Sequence, residues 1–183
     1  LGPDEAARED LANDLARALE RSLGDPLSGE VQELRDAIAG AGRILFLADN
    51  CGEIVIDRLL IEQLPTDRVT VAVRGAPVLN DVTWDDACAA GLDAARMIDN
   101  GSDAPGTLLA DCSQHFRRVF READVIIAKG QGNYESLSDV GADIFFLFKV
   151  KCPVVARHAG LPLGSHAPLR STAGRGQRRH AST

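Results

Sequence analysis

Four short apolar runs, alternating with helical patterns, constrain this chain more than any other feature. Ile44 to Ala48 (ILFLA), Val69 to Val73 (VTVAV), Val125 to Ala128 (VIIA) and Ile144 to Leu147 (IFFL) lack the polar–apolar alternation of a half-exposed strand. They read as strands covered on both faces, as in a parallel sheet with helices on either side. Between and after them, Ile54 to Leu64, Asp85 to Ala90, a stretch around Leu108 to Arg121, and Val154 to Ala159 read as helices. Strands alternating with helices predict an α/β fold of three layers, α/β/α, around a mainly parallel central sheet.

Two helices are expected ahead of the sheet. Asp4 to Leu23 carries Leu11, Leu15, Ala18 and Leu19 on one face and is stopped by Gly24, Asp25 and Pro26. A shorter one from Gly29 to Ala39 turns Val31, Leu34 and Ile38 inward. The end, Arg170 to Thr183, is basic, polar and without periodicity, as expected of a disordered tail. The chain thus divides into a helical N-terminal segment (1–40), an α/β catalytic domain (41–165) and a basic tail (166–183).

A length of 183 residues, 45% hydrophobic and 26% charged, suits one domain with a real core. The net charge of -7 argues against broad nucleic-acid binding, which needs clustered Lys and Arg. A small anionic ligand stays possible where a metal supplies local positive charge. The four cysteines, Cys51, Cys88, Cys112 and Cys152, form no CxxC pair, so neither a zinc knuckle nor a disulfide scaffold is indicated, and reduced thiols in a cytoplasm fit best. No apolar run approaches the roughly 20 residues that span a membrane. Leu1 is followed at once by charged residues, so no signal peptide is expected, and a first residue other than Met is the mark of a processed or excised chain.

Three polar clusters each follow a predicted strand, and ligands of open parallel sheets sit beyond the carboxyl ends of strands. These clusters should therefore converge. The first is Asp49-Asn50-Cys51-Gly52-Glu53, whose carboxylate and carboxamide are hard oxygen donors suited to a divalent ion. The same residues serve equally as caps of the next helix. The second, Arg74 to Asp81, offers Asp81 as a further carboxylate and Asn80 as its orienter, with Asp81 or Thr83 as an alternative helix cap. Arg74 is either a phosphate ligand or a solvated loop charge. The third, Lys129-Gly130-Gln131-Gly132-Asn133-Tyr134-Glu135, reads as a glycine-containing loop opening into a helix, with Lys129 able to neutralise a phosphoryl oxygen. It is no Walker loop, because the Lys precedes the glycines. A fourth loop, Asp99 to Gly106, brings Ser102 and two glycines, fit for close approach to a phosphate or for a plain connection. Cys51 has no His base nearby in sequence and is expected to pack; Trp84 and Tyr134 either line a pocket or pack.

Together, LADNCGEIVIDRLL, RGAPVLNDVTWDDA, MIDNGSDAPGTLL, IIAKGQGNYESL and FLFKVKCPVVARHAGLPLG closely resemble the damage-control phosphatases, in their stand-alone prokaryotic branch. The match runs from about Ile44 to Gly164, in order, and DNxGE with KGQGNYE is a specific combination. The resemblance implies an α/β/α fold and hydrolysis of phosphate monoesters of small metabolites, sugar phosphates or damaged phosphometabolites. It implies a divalent ion (magnesium, manganese, cobalt or nickel) held by Asp49, Asn50 and Asp81, and it matches Lys129 to the family's phosphate-contacting lysine. Glu53, Asn80, Ser102 and Asn133 lie in matching motifs. The family carries a helical region before the sheet; here LANDLARALE, with Asn13, resembles only its end. Two other readings are open: a non-catalytic metal- or phosphometabolite-binding relative, and an S-adenosylmethionine-dependent methyltransferase, the latter without a glycine-rich loop after the first strand.

Overall fold

The computed structural model describes residues 30–171. The helix expected over Asp4 to Leu23 and the tail beyond Ser171 lie outside the described residues.

The apolar runs form the strands they predict. β1 (Ile44–Leu47), β2 (Val69–Val73) and β4 (Val125–Lys129) are buried along their apolar lengths. β3 (Met97–Asp99), β5 (Ile144–Lys149) and β6 (His166–Arg170) complete a six-stranded sheet of order β3-β2-β1-β4-β5-β6. Every pairing is parallel except β5 with β6. Both faces are covered. Ile44 and Phe46 of β1 join a core with Ile54 and Ile61 of α2 (Ile54–Glu62), Ala87 of α3 (Trp84–Ala89) and the inner side of α1 (Val31–Gly40). Leu45 and Leu47 face the opposite core, built with Phe116 and Phe120 of α4 (Gln114–Glu122), Tyr134 and Leu137 of α5 (Gly130–Leu137), and Val155 of α6 (Pro153–Ala159). Each such large side chain contributes about 1.5–3 kcal/mol by leaving water, so a strand buried on both sides is fixed doubly.

Two sequence expectations need correction, and one strand goes unpredicted. The boundary placed at residue 166 falls on a strand: β6 pairs along its length with β5, and Ser171 still donates from its backbone to the Ile144 carbonyl (2.8 Å). Pro168 disguises that strand, since proline lacks a ladder donor and is tolerated only at an edge. β6 is such an edge, and the Pro168 carbonyl is met by the amide of Glu30 (3.1 Å). β3 was not foreseen, because three residues, two half-buried and one exposed, leave no pattern. Finally, residues 130–133 are no loop. Lys129 ends β4 and Gly130 opens α5 directly.

The strand order sets the location of any ligand site. The chain winds outward from β1 to β3 on one side, then returns to β4 and continues to β5 on the other. Adjacent crossovers leave β1 and β4 in opposite directions, opening a crevice beyond their carboxyl ends. Leu47 lies beside Ala72 of β2 and Ala128 of β4, so Asp49 and Lys129 emerge into that crevice together.

Candidate active site at the switch point

The connection after β1 is pinned from both sides. The carbonyl of Asp49 accepts from Val82 N (2.9 Å), and Cys51 N donates to the Asn80 carbonyl (2.9 Å). Asn50 and Asp81 form an isolated antiparallel bridge that draws the first two clusters together. The helix-cap question is also settled. Thr83 caps α3 in a capping box with Asp86, which leaves Asp81 uninvolved in capping. Asn50 accepts from Gly52 N through Oδ1 (2.8 Å), while no side chain caps α2.

Asp81 is held by Arg74, whose Nε donates to Oδ2 at 2.6 Å. Arg74 is itself buried, and also donates to Thr107 Oγ1 (3.2 Å) and Asn133 Oδ1 (3.5 Å). Thr107 donates to the same Asn133 oxygen at 2.7 Å. The Asn133 amide donates to the carbonyls of Lys129 (2.7 Å) and Ala48 (3.3 Å), tying the ends of β1 and β4 to the first turn of α5. Lys129 donates to Glu53 Oε2 (3.2 Å) and Asp57 Oδ1 (2.6 Å).

Asp49 stands at the centre. Gly130, at φ +77, presses against it so closely that a side-chain Cβ there would collide with the Asp49 carboxylate. That position therefore demands glycine twice over, for its left-handed backbone and for its close approach. No side chain caps α5, so its first amide groups lie open beside this carboxylate. Burial, then the neighbouring charges of Asp81 and Glu53, push the Asp49 carboxyl up to about 6, against the opposing pull of Arg74 and Lys129. For Lys129, burial works against the charge, but Asp57 and Glu53 outweigh it and hold the ammonium above its ordinary range.

The structure thus gathers Asp49, Asn50, Asp81, Arg74, Lys129, Glu53, Gly130, Gly132 and Asn133 around one crevice. Ser102 lies one loop away, buried, its hydroxyl accepting from Ala104 N (3.1 Å) and its amide bound to Asn100 Oδ1 (2.9 Å). The Asn80 side chain is exposed, and only its carbonyl takes part. Tyr134 is a core residue, stacked on Phe148 at 4.7 Å, and Cys51 packs against the opposite core. Sequence reasoning missed Asp57 and Thr107. For Asp57 a signal existed: it shares the inward face of α2 with Ile54 and Ile61, where a charge needs a partner.

The donor set fits a hard divalent cation. Among the described residues no three His, Cys, Asp or Glu side chains gather into a ligand cluster. The oxygen groups that meet here are the carboxylates of Asp49 and Asp81 and the carboxamide of Asn50, whose bonded oxygen retains a second lone pair. A carboxylate driven up to about 6 by burial and like charge is one that a cation would stabilise.

The fold and site together define an open α/β protein with a polar site of acidic oxygens, a lysine and an uncapped helix start at its switch point. The chain belongs to the damage-control phosphatase ARMT1-like domain family, whose model matches residues 1–167. It is 39% identical to a damage-control phosphatase of Pyrococcus horikoshii over 164 residues, 86% of this chain and 57% of that protein. It is likewise 39% identical to an uncharacterised protein of Methanocaldococcus jannaschii (83% and 55% covered) and 35% identical to a damage-control phosphatase of Archaeoglobus fulgidus (85% and 54%). The crystal structure of a DUF89 family protein from Pyrococcus horikoshii superimposes with a TM-score of 0.82 at 38% identity, covering 87% of this chain and 58% of that one. The chain spans a little over half the length of the relatives it matches.

Proposed function

We propose that this chain hydrolyses phosphate monoesters of small metabolites, sugar phosphates or damaged phosphometabolites, with a divalent ion held by Asp49, Asn50 and Asp81. The observation that carries this reading is the meeting of Asp49, Asp81 and Lys129 at one switch-point crevice. When bound, the ion supplies Lewis-acid charge to a phosphoryl oxygen and a water acidic enough to attack. Magnesium, manganese, cobalt and nickel all suit such oxygen donors.

The protein's own residues have separable roles. Arg74 fixes Asp81 in place through its 2.6 Å bond. Lys129 presents its ammonium to a non-bridging phosphoryl oxygen, and the open amides at the start of α5 receive a second. Asn133 locks these two elements to β1, so the donors are set before substrate arrives. The names of the Pyrococcus and Archaeoglobus relatives support the same chemistry.

Phosphate release from a panel of sugar phosphates and p-nitrophenyl phosphate, with metal-stripped protein and single added ions, tests the reading. Metal-dependent release lost in Asp49→Ala and Asp81→Ala supports it. Tight ion binding without release from any ester would instead make this chain a non-catalytic binding relative.

A further inference from the structure

Lys129 is held by two carboxylates, one from the residue that opens α2 and one a turn further on, and the two are unlike. Asp57 takes the ammonium at 2.6 Å with a side chain only 5% exposed; Glu53 takes it at 3.2 Å with a side chain 47% exposed. Asp57 lies between Ile54 and Ile61 on the face that α2 turns to the core. Its second oxygen, Oδ2, is buried without a hydrogen-bond partner among the described residues. A carboxylate so placed costs several kcal/mol of desolvation, offset only through its cation. Packing would be better served by an apolar residue, so the charge at position 57 calls for an explanation outside packing.

The chemistry of lysine supplies one. Its ammonium is a point charge on a flexible four-carbon stem and needs an anchor to be aimed. It also has three donors, of which the two carboxylates occupy two. A phosphoryl group entering the crevice would meet Glu53 as a like charge with a long, solvated bond, and Asp57 as a short, buried one. We propose that Asp57 is the fixed positioning residue that aims Lys129 and keeps it charged, while Glu53 is a displaceable counter-ion whose place an incoming phosphoryl oxygen takes. This rests on the reading of Lys129 as a phosphate ligand.

Opposite signs follow for two adjacent carboxylates. Asp57→Asn lowers kcat/KM for p-nitrophenyl phosphate about 10- to 100-fold, the range for residues that orient a reacting group from outside, and weakens binding of inorganic phosphate. Asp57→Glu restores part of that loss. Glu53→Gln lowers KM and the phosphate dissociation constant. A second readout needs no turnover: the chain has three lysines, Lys129, Lys149 and Lys151, so the Lys129 Cε signal is assignable in 13C-lysine protein through Lys129→Arg. In the wild type, inorganic phosphate shifts that signal, and in Asp57→Asn it titrates at lower pH than in Glu53→Gln.

The proposal is overturned if Asp57→Asn matches the wild type in both assays, or if Glu53→Gln binds phosphate no more tightly than the wild type. Should Asp57→Asn unfold while the double variant Lys129→Met, Asp57→Asn folds, the pairing of the two is upheld; if both unfold, Asp57 serves the fold and the proposal fails. A wild type that releases no phosphate from any ester, yet shows the Lys129 shift with inorganic phosphate, would sink the phosphatase reading and leave this one standing.

Discussion

Two buried cations in this molecule each draw on two carboxylates, and they do opposite things. Arg170, with a side chain 4% exposed, ends β6 and grips Asp143 with two parallel bonds of 2.7 and 2.6 Å. It adds Glu33 of α1 at 3.2 Å and stacks over the Phe145 ring at 5.1 Å. All three of its nitrogens donate to protein carboxylates, and the result is a staple from the edge strand to α1. Lys129, at the end of a strand buried on both faces, keeps a donor in reserve and stands in a crevice with Asp49 and an uncapped helix start. The difference is one of geometry. A planar fork clamped by a two-bond carboxylate pair builds structure, whereas a point charge with an unequal pair of partners can accept a third.

The sharpest way to break this contrast is to remove the central acid of the crevice. Asp49→Ala is expected to lower turnover at least about 10³-fold, the scale for losing preorganised charge stabilisation. It should cost little stability, because the carboxylate removed is one that burial already disfavours. Turnover and a urea midpoint on the same preparation check both halves. At the staple the expectation inverts. Arg170→Ala strands Asp143 and should cost about 3 kcal/mol, as for a broken buried pair, while turnover per folded molecule stays within about twofold of wild type.

A smaller effect is expected where backbone and site meet. Gly130→Ala faces a left-handed backbone and the Asp49 carboxylate at once, for about 1–2 kcal/mol of backbone strain together with a loss of activity that Arg170→Ala does not show. At the start of α3, Thr83→Ala removes the helix cap and should cost about 1 kcal/mol. The capping hydroxyl and amide of Thr83 hold the Asp86 carboxyl below its ordinary value of 3.8. A depressed carboxyl adds stability above its unfolded value and loses it as pH falls through the folded one. The gap between wild type and Thr83→Ala should therefore be full at neutral pH and shrink as pH drops below 3.8, measured by denaturation midpoints across that range.

The sheet was legible because strands buried on both faces are uninterrupted apolar runs, as ILFLA and VTVAV are. The site was legible because polar clusters follow those runs, and topology then brings Asp49, Asp81 and Lys129 to one crevice. What escaped has physical reasons. β6 carries a proline that only an edge position tolerates, and β3 is too short to show a period. The helical start at Gly130 read as a loop because two glycines usually mark one. Asp57 was passed over because α2 carries apolar residues on its outer side as well, with Val55, Ile56 and Leu59 exposed. Its spacing with Ile54 and Ile61 marks the inward face but not the partner. Its partner lies 72 positions away, set by the β1–β4 pairing rather than by any local pattern.

The most direct test compares wild type, Asp49→Asn and Arg170→Lys in one assay. Metal-stripped protein is given manganese, and phosphate release from p-nitrophenyl phosphate is measured per folded molecule. The account predicts release by the wild type only with the ion, none by Asp49→Asn, and near wild-type release by Arg170→Lys. Full ion-dependent release by Asp49→Asn would contradict it, because the crevice at the switch point would then not be where the chemistry happens.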